Sequence, residues 1–177
     1  MGSDYNGWTG NHIYLYLGVV LMKINVVVVG DLKEKYLVEA CKEYLKRISR
    51  FHNIEVITIA EEKLPKTLNE ADVSRALVKE GAKIEKYLKG TIVVLDVQGE
   101  QIDSVKFSKV IEQSAINSDT MTFVIGGSYG LCETIKAKAN IRLSFSKMTF
   151  PHQLFRVMLL EQIYRASTIT YNILYHK

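Results

Sequence analysis

Ile24-Asn25-Val26-Val27-Val28-Val29-Gly30 is a nearly continuous β-branched run in which polar and apolar positions do not alternate. A strand with one wet face alternates, whereas a strand covered on both faces does not, so this run reads as a central strand of a parallel sheet that ends at Gly30. A parallel sheet needs crossover helices, and helical periodicity follows. Residues Lys33 to Arg50 place Tyr36, Leu37, Ala40, Tyr44, Leu45 and Ile48 on one side. The same alternation continues down the chain. Strands are predicted at 54–59, 91–96, 121–125 and 141–144, separated by helices at 69–88, 104–116, 131–139 and 151–167. Gly90 suits a helix stop, and Pro151 suits a helix start because the first turn has no use for the N–H that proline lacks. Strict alternation predicts one α/β domain, with a mostly parallel sheet and helices on both faces.

The chain has 177 residues, 47% of them hydrophobic and 24% charged, enough for one core and too few for two comfortable domains. Two prolines, no low-complexity tract and no block of like charge give no sign of an internal linker. The net charge of +4 permits an anionic partner such as RNA without demanding one. Cys41 and Cys132 stand far apart without CxxC or Cys/His spacing, which argues against a disulfide framework or a zinc site and for a reducing cytoplasm. Residues 1–21 differ from the rest. Met1 to Asn11 is polar and contains glycine. Ile13 to Leu21 is apolar, but it is too short to span a bilayer and has no Lys or Arg before it. We expect an added or mis-started extension ahead of Met22 and a single domain over residues 22–177.

In sheets of this kind ligands bind beyond the carboxyl ends of the strands. Three segments hold that position: Leu95 to Gly99, Gly126 to Gly130, and Phe145 to Phe150. Asp96 suits contact with a ligand hydroxyl, but an Asp with a Gly soon after it is also ordinary turn chemistry. Gly126-Gly127-Ser128-Tyr129-Gly130 lets backbone approach a ligand closely. It lacks the Lys-Ser/Thr ending of a P-loop and the GxGxxG spacing, so a neutral adenosine or amino-acid moiety fits better than a phosphate; a tight strand-to-helix turn is the plain alternative. Phe145, Met148 and Phe150 either join the core or line a pocket for a flat apolar ligand.

The last helix carries an apolar stripe of Leu154, Phe155, Met158, Leu159, Gln162, Ile163 and Ala166. His152 and Arg156, one turn apart at its start, face the same way. Charged cations at a helix N-terminus are unfavourable by roughly 0.3 to 1 kcal/mol each, so stability is a poor reason for this pair. A solvated surface pair and a functional pair both remain open on this ground alone. Beyond the helix, Tyr175, His176 and Lys177 combine groups that stack on bases with groups that bind phosphate, unless the tail simply packs on the surface.

Several stretches occur jointly and in order: Met22-Lys23-Ile24, Leu-Asp-Val-Gln-Gly from Leu95 to Gly99, and Phe-Val-Ile-Gly-Gly-Ser from Phe123 to Ser128. They are followed by Leu-Ser-Phe-Ser-Lys-Met-Thr-Phe-Pro-His-Gln-Leu from Leu143 to Leu154, Leu-Leu-Glu-Gln-Ile-Tyr-Arg-Ala from Leu159 to Ala166, and the closing Tyr-His-Lys. With them the chain from Met22 to Lys177 resembles the RlmH family of SPOUT-class methyltransferases, which methylate N3 of a pseudouridine in 23S ribosomal RNA on assembled ribosomes. The resemblance implies a homodimer with a C-terminal trefoil knot. It also implies an S-adenosylmethionine site made by Leu95, Gly126, Phe145, Ser146, Lys147, Met148, Thr149 and Phe150, with no metal and no membrane. Transfer would be an in-line displacement by a ring nitrogen. His152 and Arg156 would face the target nucleotide, Arg156 on a phosphate or uracil oxygen and His152 orienting the base or helping to remove its imide proton. Tyr175, His176 and Lys177 would bind RNA across the dimer interface. Asn172-Ile173-Leu174 departs from the family, which often has a proline ahead of that Tyr, and this leaves the tail's path open.

Two other classes compete. One is a ribosome-associated RNA-binding protein of the same fold without transfer activity, against which the intact loop, His152, Arg156 and the tail all argue. The other is a dinucleotide-dependent oxidoreductase, disfavoured because Gly30-Asp31-Leu32 stands where a GxGxxG would follow the first strand.

Overall fold

The computed structural model describes residues 21–67 and 69–175. The expected extension therefore lies outside the described residues apart from Leu21, as do His176 and Lys177 of the tail. In chain order the elements are β1 (Lys23–Val29), α1 (Lys35–Ile48), β2 (Asn53–Ile59), α2 (Glu70–Glu85), β3 (Thr91–Gln101), α3 (Ser104–Asn117), β4 (Thr120–Ile125), α4 (Glu133–Ala137), β5 (Ile141–Ser144) and α5 (His152–Thr170). The sheet order is β2-β1-β4-β3-β5 and every pairing is parallel.

β1 and β4 occupy the middle of the sheet, and that position explains their composition: every residue of β1 after Lys23 and every residue of β4 is buried. Ile24, Val26 and Val28 face the core built with Cys41, Phe107, Leu159 and Ile163 from α1, α3 and α5. Val27 and Val29 face the opposite core with Ile84 and Ile135 from α2 and α4. Each fully buried aliphatic side chain contributes about 1.5–3 kcal/mol. Asn69 caps α2 by accepting from the Asp72 N–H (2.8 Å), and Asp103 caps α3 by accepting from the Lys106 N–H (2.6 Å), which satisfies donors the helices leave open.

Two expectations need correction. β3 does not stop at Asp96 but continues to Gln101, with an irregular register against β5 between Leu95 and Glu100. Gly99 therefore serves a close approach: a Cβ there would come within 2.6 Å of the Leu143 carbonyl carbon, which only glycine avoids. In α5 the buried face is Arg156, Leu159, Leu160, Ile163, Ala166, Ser167 and Thr168, while Leu154 is exposed. The stripe is thus rotated from the expected one and begins at an arginine. α5 packs across both α1 and α3. It ends in a Schellman motif, with Asn172 at φ 51° and bonds from Ile173 N–H to Thr168 O (2.8 Å) and Asn172 N–H to Ile169 O (3.1 Å). That left-handed turn, where the family's proline is absent, sends Tyr175 back along the helix.

Candidate active site

A cleft of about 630 Å³ opens at the carboxyl ends of β3, β4 and β5. Leu95, Ile125 and Leu143 supply apolar floor from the three strands, Gly126 to Ser128 present backbone edges, and Phe155 closes the side toward α5. Phe145, Ser146, Met148, Thr149 and Phe150 form one wall. Lys147 is exposed and does not line the cleft. The wall has its own scaffold: the Ser144 hydroxyl donates to Ser146 O (2.9 Å), the Ser146 hydroxyl accepts from Met148 N–H (2.9 Å), and the Phe145 and Phe155 rings lie 4.8 Å apart. Phe145 thus joins the core and lines the cleft, whereas Met148 stands exposed on the rim.

Asp96 also lines the cleft, and it serves turn and site together. Its carboxylate accepts from the Gln98 N–H (3.1 Å) and from the Arg142 guanidinium, with Lys136 Nζ 3.8 Å away. Burial opposes its ionisation, but these donors and charges outweigh burial and hold the carboxyl below its ordinary range. Gly126 backs onto the Gly130 backbone, and the Gly130 N–H donates to Gly127 O (3.0 Å), so this loop is a tight fold whose outer edge faces the cleft.

His152 is the first residue of α5, with Pro151 at the N-cap. Its ring lies at the end of the cleft over Gly30, where φ is +86°. Arg156 is placed differently from the expectation. It is 4% exposed, and its Nη2 donates to Gly30 O (2.7 Å) from the far end of the chain. Burial lowers its pKa against the pull of Cys41 and Asp31, but a guanidinium keeps its charge at any ordinary pH. Beside it the Lys33 N–H donates to Gln153 Oε1 (3.1 Å), so the first turn of α5 holds the segment after β1 at two points. Sequence reasoning passed over Glu61. It follows β2, and its Oε1 accepts from the Ser128 N–H (3.4 Å). The carboxyl-end rule that selected the other loops would have found it.

Tyr175 does not line the cleft of its own chain. Its hydroxyl donates to Glu161 Oε1 (3.3 Å), its ring meets Tyr164 at 4.8 Å, and the Arg165 guanidinium sits 4.7 Å from its centroid. Burial first, then Tyr44 and Glu161, push its phenol up to about 12. Among the described residues no group of three or more His, Cys, Asp or Glu could hold a metal ion, and no helix is long and apolar enough to cross a membrane.

A parallel sheet with this cleft at its strand ends matches a known class. The family model described as "Predicted SPOUT methyltransferase" matches residues 22–176, and the chain belongs to the SPOUT methyltransferase family. Among its relatives, the chain is 48% identical over 159 residues to ribosomal RNA large subunit methyltransferase H 1 of Clostridium perfringens, covering 88% of this chain and 100% of that one. It is 47% identical over 159 residues to ribosomal RNA large subunit methyltransferase H of Streptococcus gordonii, with the same coverage. Among solved structures, a probable methylase family protein from Haemophilus influenzae Rd KW20 superposes with a TM-score of 0.50 at 9% identity, over 90% of this chain and 71% of that one, a likeness of fold alone.

Proposed function

We propose that the protein is a ribosomal RNA methyltransferase that transfers a methyl group from S-adenosylmethionine to N3 of a pseudouridine in the large-subunit RNA. It acts in the cytoplasm on assembled ribosomes, as a homodimer. The observation that carries this reading is the match, at 47–48% identity over 88% of this chain and the whole of each relative, to large-subunit methyltransferases. The cleft fits the cofactor in chemistry: apolar surfaces from Leu95, Ile125 and Leu143 suit a flat purine, backbone groups at Gly126 to Ser128 suit its polar edge, and Asp96 offers a carboxylate for hydroxyls. Phe145, Ser146, Met148, Thr149 and Phe150 would close over it, with Lys147 on the outer side of that wall. When bound, S-adenosylmethionine supplies an activated methyl group on a sulfonium centre.

The chain's own contribution is position and electrostatics. His152, at the junction of the cleft and the Gly30 corner, orients the acceptor base or helps to remove its imide proton. Arg156 acts through the backbone of Gly30 as a positioning residue. Tyr175, His176 and Lys177 bind RNA across the dimer interface, their stacking and cationic groups suiting bases and phosphates. The family's knot belongs to the same reading: it is supported by Gly99 lying against the β5 backbone and by the return of the chain from that edge strand to α5. Calorimetric titration with S-adenosylmethionine and with NAD tests the reading. Saturable binding of the first alone is expected, and binding of the dinucleotide alone would overturn it.

A further inference from the structure

Tyr36 breaks the pattern of its helix. Periodicity counts it with Leu37, Ala40, Tyr44, Leu45 and Ile48 on the apolar side of α1. In the fold Leu37 is buried, whereas Tyr36 is 68% exposed and meets no other ring among the described residues. Lys33 and Lys35 stand just before it, both exposed, and neither ammonium has an ion-pair partner among the described residues. Further along the helix the cations are paired, Lys42 with Glu39 (2.9 Å) and Arg47 with Glu43 (2.8 Å). Glu39, one turn beyond Lys35, is therefore already taken.

This stretch stands beside the His152 end of the cleft. The Lys33 N–H donates to Oε1 of Gln153 (3.1 Å), the residue after His152, and the His152 ring lines the cleft. β2 lies next to β1 in parallel register, and the Gly30 N–H donates to Ile59 O (2.9 Å). The segment after β2, with exposed Lys63, thus leaves the sheet alongside the segment after β1, and Lys63 too has no ion-pair partner among the described residues. Carboxylates share this rim, but most are engaged. Glu62 pairs with Lys83, Glu61 accepts from the Ser128 N–H (3.4 Å), and Asp31 lies within electrostatic reach of buried Arg156. Glu34 is the exception, so three free ammonium groups face solvent against one free carboxylate.

An exposed ring among unpaired cations suits single-stranded nucleic acid, because the ring takes the face of a base and the ammonium groups follow the phosphates. A second copy of the chain seated here would have to desolvate those ammonium groups, which RNA phosphates instead neutralise. We propose that this rim binds RNA: Tyr36 stacks on an unpaired base near the acceptor nucleotide, and Lys33, Lys35 and Lys63 contact the flanking phosphates. The proposal rests on the methyl-transfer reading and deepens it, extending the RNA footprint from His152 over the ends of β1 and β2. Stacking tolerates any base, so the rim sets affinity and register while the cleft selects the base.

The test measures ribosome binding by co-sedimentation over a range of salt, kcat and KM with ribosomes lacking the modification, calorimetric S-adenosylmethionine affinity, and oligomeric state by ultracentrifugation. It compares wild type with Tyr36→Ala, Tyr36→Trp, the triple variant Lys33→Ala, Lys35→Ala, Lys63→Ala, and Lys86→Ala, a lysine just past α2 at the opposite end of the sheet. All these side chains are exposed, so the variants fold. Tyr36→Ala is expected to weaken ribosome binding and raise KM about tenfold, with kcat and cofactor affinity unchanged, and Tyr36→Trp to restore both. The triple variant should lower the slope of log affinity against log salt by about 2, and Lys86→Ala should match wild type. Wild-type ribosome binding in Tyr36→Ala or an unchanged salt slope in the triple variant overturns the proposal, as does a comparable loss in Lys86→Ala. Dissociation of a dimer by Tyr36→Ala assigns this face to a second copy and overturns it too. Wild-type protein that binds ribosomes and cofactor but transfers no methyl group overturns the methyl-transfer reading, and the binding measurements still decide the rim. Wild-type protein that does not bind ribosomes overturns the rim directly.

Discussion

The two arginines of α5 are held in opposite ways. Arg156 is buried, and its bond goes to a backbone carbonyl more than a hundred residues earlier in the chain. Arg165 keeps 25% of its side chain exposed and pairs with Glu161 one turn back on the same helix. The second arrangement is half-buried, an ion pair within one helix whose guanidinium also lies 4.7 Å from the Tyr175 ring centroid. The first joins two distant segments through a charge that cannot be shed. His52 shows what burial does when a basic group has the choice: 4% exposed, with Nδ1 unpartnered among the described residues, it is driven by burial down to about 4 and stays neutral. Burial thus separates a charge that ties two distant segments together from one held within its own helix and the tail beside it.

Truncating the buried arginine gives the largest expected effect. Arg156→Ala strands the Gly30 carbonyl and opens a void, so chemical denaturation registers a loss of about 3 kcal/mol and methyl transfer falls at least about 100-fold. A methylation rate near wild type would place Arg156 with Arg165 and erase the contrast. His52 comes next, through pH. Its folded pKa lies below its unfolded value near 6.5, so the unfolded chain binds the extra proton first. The stability it contributes is complete above pH 6.5 and is lost as pH falls toward about 4, roughly 3 kcal/mol over that window at about 1.4 kcal/mol per unit. His52→Gln should flatten the acid limb of a stability-versus-pH curve by that amount, and an unchanged limb would rule His52 out as its cause. Arg165→Ala should cost only about 1 kcal/mol in thermal unfolding and should shrink further at 1 M salt, whereas the Arg156→Ala loss should not. Tyr175→Phe removes the long hydrogen bond to Glu161 and the hydroxyl's contact with Tyr44, and should change stability by about 0.5–1 kcal/mol, a difference visible in paired denaturation curves.

The same contrast explains what could be read from the amino acids. Elements whose pattern is local, such as the β-branched run of β1, stand where periodicity puts them. The segments after β4 and β5 line one cleft for a similar reason, because strand-end position is a property of alternation. What escaped depends on partners far away in sequence. Asp96 to Gly99 has the composition of a turn, yet Gly99 is required by the backbone of Arg142 and Leu143. The helix-dipole argument assigned Arg156 away from a stability role because it weighed only the helix; the Gly30 carbonyl outweighs the dipole. Glu61 sits in a polar stretch with no spacing of its own, and it gains meaning only when β2 and β4 bring it to Ser128.

One measurement bears on the central claim most directly. Ribosomes lacking the modification are incubated with the protein and labelled S-adenosylmethionine, and the labelled nucleotide is mapped. The account predicts one labelled site in the large-subunit RNA, on N3 of a pseudouridine. A properly folded, cofactor-binding protein that leaves ribosomal RNA unlabelled would contradict it.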